Sequence, residues 1–70
     1  MDVDAMIERF QQRAKAVKQR PLPPVAGEER QAFIAQAQQD FQDFAIIGDA
    51  AGTIDDDGVL TLRIQLPKAD

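Results

Sequence analysis

The sequence predicts an α+β fold in which two amphipathic helices, joined by a Pro-rich connector, are followed by a C-terminal β-hairpin. Three observations carry this expectation. Apolar residues recur every three to four positions over the first two thirds of the chain. Pro21, Pro23 and Pro24 interrupt that pattern. From Val59 onward, strict alternation of apolar and polar residues replaces it.

The first helix rests on Val3, Met6, Ile7, Phe10, Ala14 and Val17, whose spacing keeps them on one stripe of an α-helix. Asp2 or Asp4 supplies an N-cap carboxylate, and Pro21 disfavours helical backbone in the residue before it, so the helix is expected over about residues 3–19. At about 100° per residue, Arg9, Arg13 and Arg20 fall on one flank of the stripe and Lys15 and Lys18 on the other. Residues 20–27 form the connector, stiffened by prolines that fix φ and lack an amide donor.

Gly27-Glu28-Glu29 opens the second helix with acids in its first turn, where they complement the helix dipole. Its apolar stripe is Phe33, Ile34, Ala37, Phe41, Phe44 and Ala45, and Gly48 suits a left-handed residue at its end, giving a helix over about residues 28–47. An antiparallel helix pair is the expected packing, with the phenylalanines in its core. The hairpin is expected over about residues 50–66. Leu60, Leu62, Ile64 and Leu66 share one face, and Asp55-Asp56-Asp57-Gly58 carries a turn signal. A two-residue loop would put Ile54 opposite Thr61, on the polar face. A three-residue loop, Asp56-Asp57-Gly58, puts Ile54 opposite Leu60 and Gly52 opposite Leu62, so the apolar side chains share a face.

Seventy residues make a single domain, and a domain of this size buries only about 60% of the surface its unfolded chain exposes. The usual reinforcements are missing, because the chain has no Cys for disulfides and no His as a transition-metal ligand. Oligomerisation or docking is the reinforcement that remains. The opening Met1-Asp2-Val3-Asp4 lacks the basic start and apolar run of a signal peptide, and no apolar run is long enough to span a bilayer, so a soluble, cytoplasmic protein is expected.

The formal net charge of −4 argues against general nucleic-acid binding, which needs a basic surface. The average conceals an asymmetry. Residues 9–20 hold Arg9, Arg13, Lys15, Lys18 and Arg20 with no acid, whereas residues 40–57 hold six aspartates with no base. These regions attract each other within one molecule or between two.

The aspartate run does not fit a calcium loop. An EF-hand counted from Asp55 would place Val59 and Arg63 where oxygen ligands are needed, so a solvated turn is the expectation. Arg20-Pro21-Leu22-Pro23-Pro24 resembles the proline-rich ligands of SH3 domains over these five residues, but the position of the second proline in the Arg-first pattern is Ala26, and a rigid spacer is the preferred reading. Ser, Cys, His and Tyr are absent, which removes the common nucleophiles and the usual general base. The expected function is therefore that of a non-catalytic protein-interaction module, with no cofactor or metal. A small accessory or assembly subunit of a larger complex is the leading form. The alternative is a self-associating regulator or adaptor, associated with nucleic acid through the basic first helix. The candidate partner-binding residues are Leu62, Ile64 and Leu66 on the strand and Arg9 and Arg13 on the helix.

Overall fold

The computed structural model describes residues 1–67. Its elements are α1 (Val3–Lys18), α2 (Gly27–Gly48), β1 (Ala51–Ile54) and β2 (Leu60–Arg63), so two helices are followed by a two-stranded antiparallel hairpin. Asp2 is the N-cap of α1, its carboxylate accepting the Ala5 amide at 3.0 Å, and Asp4 lies in the first turn. After Pro23 the chain turns sharply, the Val25 amide donating to the Pro23 carbonyl at 2.8 Å. Gly27 starts α2 with φ of 64°, backbone that only glycine adopts without cost.

The helices run antiparallel, as their side chains show. Lys18 meets Phe41, Phe10 packs edge-on against Phe44 at 6.0 Å between ring centroids, and Gln11 donates its side-chain amide to the Gly48 carbonyl at 2.8 Å. Gly48 is not the left-handed terminator expected from sequence. It is the last residue of α2, and among the described residues the positive-φ glycines are Gly27 and Gly58. Its role is close approach: a Cβ there would sit 2.8 Å from Cγ and 3.2 Å from the backbone nitrogen of Gln11. Beyond this crossing α1 passes from α2 to the hairpin, where Val3 and Ile7 fill the space above Gly52 and beside Leu62.

The hairpin has the three-residue loop. Ile54 pairs with Leu60 and Gly52 with Leu62. The Asp55 amide donates to the Val59 carbonyl at 3.1 Å, and Gly58 takes a φ of 80°. The ladder is shorter than the expected 50–66. The Ala50 amide is committed to the Ile47 carbonyl in the terminal turn of α2, so pairing starts at Ala51 and ends at its partner Arg63. The apolar face is covered only in part. Gly52 and Leu62 lie under α1, but the first turn of α1 reaches no further, and Ile54 and Leu60 at the turn end are exposed.

The phenylalanines are likewise half-buried rather than core. The buried set is Val3, Ile7, Ala14 and Val17 on α1 together with Gly48 on α2. Two helices in contact shield each other along one seam only, and a broad ring beside that seam keeps one face open. Rings of this kind are tempered by cations: the Arg13 guanidinium lies 4.9 Å from the centre of Phe10, and the Lys18 ammonium 4.4 Å from that of Phe41.

Candidate protein-interaction surface

The two helices differ in length, and that difference leaves an open apolar surface. At about 1.5 Å per residue, α1 with its 16 residues is about 24 Å long and α2 with its 22 residues about 33 Å. The C-terminal end of α1 lies beside Phe41. The N-terminal half of α2 therefore runs on past α1, carrying Phe33, Ile34 and Ala37 along the same apolar stripe. Only the connector leans over it, through Leu22, which itself stays 52% exposed. An open groove of about 380 Å³ results, floored by Phe33, Ile34, Ala37 and Phe41, with Val17 and Leu22 on its walls and Lys18 and Arg20 at its rim.

Arg20 does not belong to the flank of Arg9 and Arg13 as helical spacing suggested. It lies past the end of α1, where the 100° progression no longer holds, and its guanidinium pairs with Asp40 of α2 at 2.8 Å. This is the single ion pair among the described residues, and it joins the basic end of α1 to the acidic half of α2. Both partners are partly exposed, so it orients the connector more than it stabilises the fold.

The five residues singled out from sequence fall into separate places. Arg9 and Arg13 lie with Gln12 and Ala16 on the open flank of α1, away from the groove. Leu62 is half-buried under α1, Ile64 is half-buried just past β2, and Leu66 is exposed but near Phe41, Ala45 and Ile46 on α2. Leu66 is thus close to the C-terminal half of α2, Ile64 lies near Asp49 at its end and Leu62 near α1, whereas the arginines belong to none of these places. The groove over Leu22, Phe33, Ile34 and Ala37 was not among the sequence-derived candidates. Its signal was present in the greater expected length of the second helix, about residues 28–47 against about 3–19, which a shorter first helix could not cover.

The aspartate turn is organised from within. Asp55 accepts the amides of both Asp57 and Val59 at 2.9 Å through one carboxylate oxygen. Asp55→Ala is expected to cost about 1 kcal/mol of stability by chemical denaturation through loss of these bonds, and Asp56→Asn to change the midpoint hardly at all. A large loss from Asp56→Asn would point instead to an ion bound in the loop. Among the described residues no group of three or more carboxylates is gathered as a metal site, and no helix is long and apolar enough to cross a membrane.

Comparison with protein-family models, curated proteins and solved structures finds no match for this chain.

Proposed function

We propose that the chain is a non-catalytic protein-interaction module, in its leading form a small accessory or assembly subunit that docks onto a larger protein. One observation carries this reading: the fold is open. Its radius of gyration is 15.6 Å, against about 11 Å for a compact chain of this length. Its accessible surface is 5,849 Å², against about 4,300 Å² for a compact monomer of this mass. No large side chain among the described residues is fully buried. A chain with so little interior is best stabilised by what it binds. Two surfaces serve that purpose, the α2 groove and the strand side of the hairpin with Leu62, Ile64 and Leu66. Both outer edges of a two-stranded sheet have free backbone groups that accept another strand.

The native mass of the protein, purified gently from its own host with every co-purifying chain identified, tests the reading. A stoichiometric larger protein is the expected result. Recovery of the bare chain, with no partner at natural abundance, would overturn the accessory-subunit form. A self-associating regulator that touches nucleic acid is the second reading, favoured by the gathering of Arg9, Gln12 and Arg13 on the open flank of α1. Salt separates the two: phosphate contacts lose affinity steeply as salt rises, and an apolar protein interface does so only weakly.

A further inference from the structure

We infer that the N-terminal half of α2 pairs antiparallel with the same segment of a second copy of this chain, so that the docking unit is a two-fold dimer. This rests on the protein-interaction reading and deepens it by naming the occupant of the α2 groove.

Area is the first argument. The chain exposes 5,849 Å², an excess of about 1,500 Å² over a compact monomer. A standard interface removes about 800 Å² from each partner. The excess belongs to the chain as a whole and is larger than what one such dimer contact removes from each partner.

Charge supplies the second argument and fixes the direction. A two-fold axis between Phe33 and Ile34 sets each overhanging segment, residues 28–39, against its copy. It brings Glu28 and Glu29 of one chain opposite Gln39 and Gln38 of the other. Gln38 lies in the groove whose rim carries Lys18 and the Arg20–Asp40 pair, so the acidic start of each α2 comes beside Lys18, at the basic end of the other α1, and can share Arg20 with Asp40. A parallel pairing would instead set Glu28 and Glu29 against their own copies, like charge on like charge. Arg30, on the same stripe, comes opposite Ala37, whose small side chain leaves room for the arginine stem.

The mass of the purified chain, measured by sedimentation equilibrium over a range of concentrations, provides the test. A monomer–dimer equilibrium is expected. Ile34→Asp should weaken it on the order of 100-fold or more, because a carboxylate would be buried at the axis. Ile34 is 38% exposed in the single chain, so the helix content of this variant should persist. The chain has no cysteine of its own, which permits a second test independent of folding defects. Ile34→Cys should cross-link to a covalent dimer under mild oxidation, and Gln42→Cys should not. A monomer at every concentration, or a dimer that Ile34→Asp leaves intact, overturns the proposal. If the chain is monomeric alone but loses a larger assembly on Ile34→Asp, the groove belongs to a foreign helix. Self-pairing then fails while the protein-interaction reading stands.

Discussion

Gly52→Val is expected to lower the unfolding free energy by about 2 kcal/mol, although two general effects act in the opposite direction. Valine favours extended backbone, an effect spanning up to about 1 kcal/mol. Replacing glycine also restricts the unfolded chain, worth about 0.5–1 kcal/mol. Against these stands the geometry of the site. A Cβ on Gly52 would lie 2.3 Å from Cγ1 of Val3, 3.2 Å from Cδ2 of Leu62 and 3.3 Å from Cδ1 of Ile7. Val3 is β-branched and stiff, so its methyl group cannot swing aside, and the valine side chain adds two more methyl groups in the same space. Overpacking typically costs about 1–3 kcal/mol, and here the first turn of α1 must lift from the hairpin to relieve it. A globular chain of this length has only about 4–10 kcal/mol of stability, so the loss is a large share. Urea denaturation should show a lower midpoint, and Val3→Ala added to Gly52→Val should recover part of it as a coupling between neighbours. An unchanged midpoint would mean that α1 does not rest on the hairpin.

Much of this arrangement is legible in the sequence, because the elements are set by local patterns. The 3-4 spacing gives both helices, Pro21 ends the first, and the alternation of Leu60, Thr61, Leu62 and Arg63 gives the second strand. The register follows from Ile54, which the three-residue loop brings onto the apolar face with Leu60. What could not be read is how far each apolar face is covered. The role of Gly48 shows why. Both a left-handed terminator and a close helix crossing need glycine, and only the position of Gln11 across the interface distinguishes them. Arg20 is a similar case, since a helical wheel assumes a helix that Lys18 has already ended. The phenylalanines match a core stripe in spacing, yet a single seam between two helices is too narrow to enclose them. Leu22 has no periodic partner in sequence, and it enters the groove only because the connector folds back along α2.

The same geometry separates side chains that hold the single chain together from those that serve a partner. Helix α1 is the shared element, since it lies against α2 at Gln11 and Lys18 and against the hairpin at Val3 and Ile7. Four of its residues are the buried hydrophobic set, whereas the exposed large apolar residues lie on the connector, α2 and the hairpin as well as at Met1. A change in α1 should therefore be felt by the isolated chain, and a change on the N-terminal half of α2 by its assemblies.

Ile7→Ala is expected to give the largest single loss, about 2–3 kcal/mol. Ile7 is 7% exposed and is the largest side chain of the buried set. Truncation of a buried isoleucine to alanine costs about 2–5 kcal/mol, the sum of lost transfer free energy and the cavity left behind. The lower half of that range applies here. The fold is open, Gly52 places no side chain beneath the site, and Leu62 and the start of α1 can settle into part of the vacated space. The loss should be the same at every protein concentration, because Ile7 acts within one chain. Ile34→Ala should behave differently. In the single chain its side chain is 38% exposed, so at high dilution its effect should stay within about 0.5 kcal/mol. As protein concentration rises and the α2 groove fills, the wild-type midpoint should climb and the Ile34→Ala midpoint should lag behind it. Denaturation of both variants at two concentrations about a hundredfold apart, where binding linkage predicts a clear shift, makes the comparison. Equal, concentration-independent losses would place Ile34 in the same interior as Ile7 and remove the distinction between core and groove.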